Sequence, residues 1–223
     1  MKSKTRVKIC CISSVDEAKL AIRYGASALG LVSQMPSGPG VITDEKIIEI
    51  MKVIPDGIDS FLLTSETSGR EILKQHEKFK TNTIQIVDRV DNVVYQELSR
   101  KLPGTILVQV IHVIDESSVD YAMDVSQYAD ALLLDSGNPG LKIKELGGTG
   151  RVHDWQLSKK IRENVSIPVL LAGGLTSENV REAIETVEPY AVDLCSGVRT
   201  DGKLDELKLK KFFEAVKLSE KNR

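Results

Sequence analysis

The chain has 223 residues, enough for one large domain or two small ones, and its 41% hydrophobic and 28% charged residues make an ordinary soluble composition. Its 30 basic and 32 acidic side chains leave a net charge of −2, so a nucleic-acid or polybasic membrane role has no electrostatic support. No apolar run approaches the ~20 residues needed to cross a bilayer. The basic start at residues 1–6 leads into a run too short and too interrupted for a secretory signal, so a cytoplasmic protein is expected.

The first apolar run, at 6–11, ends in Cys10-Cys11 and leads into an amphipathic segment at 15–24. Ser14-Val15-Asp16-Glu17 reads as a capping box for that helix: the Ser oxygen accepts from a free backbone N–H while the Glu reaches back. Gly25 comes next, where a left-handed terminal residue is wanted. The pattern then repeats. Further apolar runs lie near 28–32, 58–63, 83–87, 105–111, 130–135, 167–172 and 191–195. Helical segments lie near 44–53, 69–79, 92–101, 116–126, 155–163, 177–187 and 205–219. Ile47, Ile50 and Met51 share one helical face, and Ser68-Gly69-Arg70-Glu71 reads as a second capping box. The runs are rich in Val, Ile and Leu and mostly do not alternate with polar residues, which is the pattern of strands buried on both faces.

Eight strand–helix units in a chain of this length predict the α/β class, with a single-domain (β/α)8 TIM barrel over residues 1–223. A doubly wound open sheet is the rival, weakened because no G-x-G-x-x-G comes after the first strand. No linker or low-complexity tract interrupts the alternation. One long irregular segment, 136–151, contains Gly137, Gly140, Gly147, Gly148 and Gly150. A loop of that length inside a compact domain is usually functional, and this one is a candidate lid.

Two reactive groups close predicted strands: Cys10 after Val7-Lys8-Ile9, and Asp135 after Ala131-Leu132-Leu133-Leu134. In a parallel barrel both emerge on one rim, where a thiol and a carboxyl can act as base and acid. Alone, Cys10 reads equally as an inert small hydrophobe, and Asp135 as a helix cap or salt-bridge partner. If Cys10 points into the mouth, strand alternation turns Cys11 outward. Lys8, two residues before Cys10, lies on the same face. Ala172-Gly173-Gly174-Leu175 and Cys195-Ser196-Gly197-Val198 come after the last two strands, where barrel enzymes often hold a phosphate on backbone N–H groups and helix N-termini. His112 ends the fifth strand and is a candidate for the pocket. His76 sits in a charged helix and reads as a surface residue, and Trp155 as a packing anchor. Three cysteines and three histidines without ligand spacing argue against structural disulfides and against zinc.

The ordered set Val7-Lys8-Ile9-Cys10, Gly25-Ala26-Ser27-Ala28-Leu29-Gly30, Leu133-Leu134-Asp135, Gly147-Gly148-Thr149-Gly150 with Asp154-Trp155, Leu171-Ala172-Gly173-Gly174-Leu175 with Glu178-Asn179-Val180, and Val192-Asp193 with Ser196-Gly197-Val198 resembles the phosphoribosylanthranilate isomerase family of tryptophan biosynthesis. The resemblance covers nearly the whole chain. It implies an Amadori rearrangement of a phosphorylated aminoaldose, with Asp135 as general acid, Cys10 as general base, and no metal or organic cofactor. It further implies a phosphate site comprising Gly148, Gly173, Gly174, Ser196 and Gly197, with Lys8, Gln85 and Arg199 as further substrate contacts. The expected partner is a small phosphorylated sugar, bound by a monomer or homodimer. The chain departs from the family pattern in four places. Cys11 replaces a Gly. The segment 33–42 lacks the basic residue expected to meet the anthranilate carboxylate. Ile84-Gln85-Ile86-Val87-Asp88 lacks a His-Gly, and Arg199 stands for a Glu. These departures leave two alternatives: a divergent isomerase of another phosphorylated aldose or aminoaldose, and a non-catalytic phosphometabolite-binding protein.

Overall fold

A computed structural model of the chain describes residues 4–36, 38–137 and 150–221. Eight parallel strands close a barrel: β1 (Arg6–Ile9), β2 (Ala28–Val32), β3 (Asp59–Thr64), β4 (Thr83–Ile86), β5 (Ile106–His112), β6 (Ala131–Asp135), β7 (Val169–Leu171) and β8 (Ala191–Leu194). The helices α1 (Val15–Tyr24), α2 (Asp44–Met51), α3 (Gly69–Phe79), α4 (Asn92–Lys101), α5 (Ser117–Val125), α6 (Trp155–Asn164) and α7 (Val180–Val187) follow the strands in turn. After β8 come a single 3₁₀ turn at Ser196–Val198, a small antiparallel pair β9 (Arg199–Thr200) and β10 (Lys203–Leu204), and α8 (Glu206–Lys221). This is the (β/α)8 barrel expected from the alternation of elements.

The non-alternating apolar runs have a physical reason. Each strand is buried on both faces, and its side chains still alternate between two different cores. Leu132 and Leu134 of β6 join the outer shell, packed with Ile9, Leu29, Leu31, Ile84 and the inner faces of the helices. Ala131 and Leu133 face the barrel interior with Ala28, Phe61, Leu63, Val108, Val110 and Leu170. Asp135 continues the interior series and so arrives at the mouth. The barrel closes between β1 and β8, in the register Arg6↔Ala191 to Ile9↔Leu194.

Local signals held unevenly. Ser14 accepts a hydrogen bond from Glu17 N at 3.2 Å, and Gly25 ends α1 in the left-handed region at φ 105°. Ser68 occupies the N-cap of α3 but makes no side-chain cap bond. Glu71, expected to complete that second box, lies 3.7 Å from Lys74. His76 is not a surface residue. It is 8% exposed, and its Nε2 meets the Thr81 carbonyl at 2.7 Å, so the imidazole closes the end of its helix onto the next strand. The proposed lid segment falls largely on 138–149, outside the described residues.

Candidate active site

A cavity of about 660 Å³, counting its open mouth, lies over the C-terminal ends of the strands. Its lining brings together Cys10 after β1, Gln85 from β4, Asp135 from β6, Gly173 and Gly174 after β7, and Ser196 after β8. Val32, Met35, Pro39, Leu63 and Val87 form an apolar wall.

Cys10 N donates to the Leu194 carbonyl at 2.9 Å, extending the β1–β8 ladder by one residue and fixing where the thiol emerges. Gly30 on β2 makes room for it. A Cβ there would stand 2.8 Å from Cys10 Sγ, so a larger residue would push the thiol aside. Cys11 departs from the expectation that it faces outward. Its φ is +60°, which breaks the strand alternation and turns its side chain into the same cavity. Its thiol donates to the Pro39 carbonyl at 3.6 Å. Contact with the Cys10 and Cys195 thiols, and then burial, pushes the Cys11 pKa well up. The Cys195 thiol is pulled down, first by its hydrogen bond with Cys11, against the opposing effect of burial and with help from the Arg199 charge.

Asp135 is 8% exposed, and its Oδ1 accepts from Ser136 N at 2.7 Å. His112 is its neighbour in the β5–β6 register. His112 does not line the cavity; its Nε2 meets the Val87 carbonyl at 3.1 Å, a contact that puts the proton on that nitrogen. His153 packs against the turn at Gly173, with its Nε2 2.6 Å from Ser158 Oγ. Burial lowers the pKa of both imidazoles, with the Asp135 charge opposing, so neutral histidines flank the carboxyl.

Lys8 also lies elsewhere than expected. It sits 1% exposed inside the barrel, 2.9 Å from Asp193 Oδ2 and 4.9 Å from the centre of the Phe61 ring, and does not line the cavity. Burial opposes its charge, but Asp193 and Cys10 outweigh that and raise its pKa. Asp193, which does line the cavity, is raised chiefly by burial, with Lys8 opposing. Gln85 lines the cavity; it is 4% exposed, and among the described residues its Oε1 has no hydrogen-bond partner. Asp193 was not singled out as a site residue, although a carboxyl set in the apolar run of the last strand is the kind of signal that marked Asp135.

At the opposite side of the mouth, Gly173 and Gly174 both take positive φ, at 82° and 62°. A Cβ on Gly174 would stand 2.6 Å from the Arg151 carbonyl carbon, so the turn requires glycine for conformation and for space. Asn179 staples this turn: its Nδ2 donates to the Gly174 carbonyl at 2.9 Å and its Oδ1 accepts from Thr176 N at 2.8 Å. That use of Asn179 delays α7 to Val180, later than the 177 expected from sequence. Gly197 does not line the cavity; it lies hard against the Leu175 carbonyl, locking the β8 turn onto the β7 turn. Gly148 lies outside the described residues. Arg199 does not reach the cavity either. Its guanidinium pairs with Glu17 at 2.9 Å, away from the substrate space it was expected to serve. Among the described residues, no group of three or more His, Cys, Asp or Glu side chains is placed to hold a metal ion.

A family model described as N-(5′-phosphoribosyl)anthranilate isomerase matches residues 7–215. The chain belongs to that family. The N-(5′-phosphoribosyl)anthranilate isomerase of Methanosarcina acetivorans is 36% identical, over 96% of this chain and 94% of its own. The phosphoribosyl anthranilate isomerase of Thermotoga maritima has the same fold, with a TM-score of 0.82 and 28% identity over 96% of this chain and 98% of the other. Another phosphoribosyl anthranilate isomerase was solved in complex with reduced 1-(o-carboxyphenylamino)-1-deoxyribulose 5-phosphate. It superposes with a TM-score of 0.80 at 26% identity, over 96% of this chain and 98% of its own.

In this member of the phosphoribosylanthranilate isomerase family, an isomerase family, the thiols of Cys11 and Cys195 line the mouth beside Cys10. Among the described lining residues there is no Lys or Arg.

Proposed function

We propose that this chain catalyses the Amadori rearrangement of N-(5′-phosphoribosyl)anthranilate to 1-(o-carboxyphenylamino)-1-deoxyribulose 5-phosphate, a step of tryptophan biosynthesis. The observation that carries the proposal is the convergence of Cys10, Asp135 and the paired turns at Gly173-Gly174 and Ser196 on one cavity. The family membership supports it. Protonated Asp135 gives its proton to the furanose ring oxygen, and the ring opens to a Schiff base. The Cys10 thiolate removes the C2′ proton, giving an enolamine. Reprotonation at C1′ and loss of the enol proton yield the ketone, so atoms balance and no external oxidant or reductant enters. The backbone at Gly173 and Gly174 with Ser196 holds the phosphate, a dianion that fits N–H-lined turns. The unpartnered Gln85 Oε1 accepts from a substrate hydroxyl or the bridging amine. The apolar wall of Met35, Pro39, Leu63 and Val87 receives the aromatic ring.

One observation favours a second reading. The described lining offers no cation for an aryl carboxylate, and a charged partner there is worth about 1.5–3 kcal/mol. A related phosphosugar with an uncharged aglycone fits the same wall. The deciding experiment is turnover of freshly generated phosphoribosylanthranilate, followed by loss of its fluorescence and run against the aniline analogue. Cys10→Ser and Asp135→Asn are each expected to lower kcat by about 10²–10⁴-fold. Full activity in either variant would remove that residue from the mechanism. A kcat/KM higher for the aniline compound would select the second reading.

A further inference from the structure

We infer that Arg199, gripped by Glu17, is a positioning residue for the Cys10 thiol. The inference rests on the reading of Cys10 as the base. Its starting point is the strained residue next to that thiol. Cys11 has a side chain and a φ of +60°, a region L-residues seldom occupy unless their surroundings over-determine it. Among those surroundings is one guanidinium. Arg199 Nη2 donates to the Cys11 carbonyl at 2.5 Å and lies 3.4 Å from the Cys10 carbonyl, so one nitrogen collects both peptide oxygens that bracket the turn out of β1.

The guanidinium is itself held from behind. Nη1 and Nη2 donate to Glu17 Oε1 and Oε2 at 2.9 and 3.0 Å, a bidentate pair, and Nη1 also donates to the Gly202 carbonyl at 2.9 Å. Glu17 in turn accepts from Ser13 N and Leu204 N, both at 2.9 Å. The pair is nearly sealed from water, at 9% and 11% exposure for the two side chains. Charge-assisted bonds in so dry a place are strong, and the planar fork fixes direction as well as distance.

The chain path gives the contact a functional sense. Arg199 directly follows the 3₁₀ turn of Ser196–Val198, and Ser196 lines the cavity on the proposed phosphate side. One residue therefore has its backbone on the phosphate turn and its side chain on the peptides that aim the base. The strained residue Cys11 and the gripped cation Arg199 meet in this contact. A residue at 11 that prefers another conformation is balanced by a cation that holds it.

Five substitutions and one additive test this. Cys10→Ala tests the underlying reading; if it retains turnover, the base assignment fails, and the role of Arg199 fails with it. With Cys10→Ala inactive, Arg199→Ala is expected to lower kcat by about 10- to 100-fold, the usual cost of misplacing a reacting group by about 1 Å, with KM within about threefold of wild type. Added guanidinium ion should restore part of that kcat, an effect that a merely structural loss would not show. Cys11→Gly should relieve the strain, so that removing Arg199 in that background costs less than about fivefold. Glu17→Gln and Arg199→Lys decide the matter if Arg199→Ala does not fold, each being expected to lower kcat with little change in KM. Wild-type kcat in the Arg199 and Glu17 variants would overturn the inference while leaving the base assignment intact. So would a loss expressed only in KM, or an equal loss in the Cys11→Gly background without guanidinium rescue.

Discussion

At the scale of single residues, the charges under the site are held by partners more than by water, and this sets their pH dependence. Burial pushes the Glu17 carboxyl up, but Arg199 and the N–H groups of Leu204 and Ser13 outweigh it and hold the pKa below the usual 4.5. A carboxyl more acidic when folded binds fewer protons in the folded state. Its contribution is therefore complete above pH 4.5 and is lost as pH falls through the lower folded value. Glu17→Gln is expected to flatten the acid limb of stability in urea titrations between about pH 3 and 7. Parallel acid limbs for wild type and variant would show that Glu17 carries no such linkage. Lys8 and Asp193 test a different rule. Lys8→Met leaves a buried carboxylate alone and is expected to cost on the order of 3–5 kcal/mol. Adding Asp193→Asn should recover much of that loss in the same denaturation assay. A double variant no more stable than Lys8→Met would mean that packing of the Lys8 stem, not charge, is what matters there.

At the scale of elements, two sequences of the same pattern behave differently. Ser14-x-x-Glu17 and Ser68-x-x-Glu71 both read as capping boxes, yet only Ser14 accepts the N-cap bond. Ser14→Ala is expected to cost about 1 kcal/mol and Ser68→Ala a few tenths. In a chain of this size the first is a fall of roughly 2–4 °C in Tm and the second is near the limit of detection. Equal shifts would mean that the cap geometry does not control these helices. The contrast shows what the sequence made legible. Helix positions follow from amphipathic spacing, and α1, α3 and α4 begin and end where that spacing puts them. Whether a cap is used depends on a backbone angle, and in the first box Glu17 reaches Ser13, Leu204 and Arg199, residues up to 187 positions away. The same limit explains Cys11 and His76. Strand period placed Cys11 outside because period says nothing of a left-handed turn, and helix charge placed His76 outside because it says nothing of the Thr81 carbonyl.

At the scale of the whole molecule, the site straddles the seam where the barrel closes. The runs of Val, Ile and Leu announced parallel strands, and a strand-end Cys and Asp announced a rim. The register that joins β1 to β8, and so sets Cys10 beside Cys195, depends on closure and is written in no local pattern. On the reading proposed above, ligand binding and barrel closure are coupled: a molecule gripped at Gly173-Gly174 and Ser196 and contacting Cys10 would tie β7, β8 and β1 together. The reduced aminoketose 5-phosphate at a hundred times its Kd is expected to add about 2.7 kcal/mol, since it binds only the folded chain. At roughly 2–4 °C per kcal/mol that is a rise of about 5–11 °C in Tm. Gly174→Ala, which forces a side chain onto the Arg151 peptide, should largely abolish the rise while the variant still melts cooperatively. If the Gly174→Ala protein were stabilised by the same compound to the same extent, the phosphate would not be held at the β7 turn, and the grip would have to come from elsewhere on the rim.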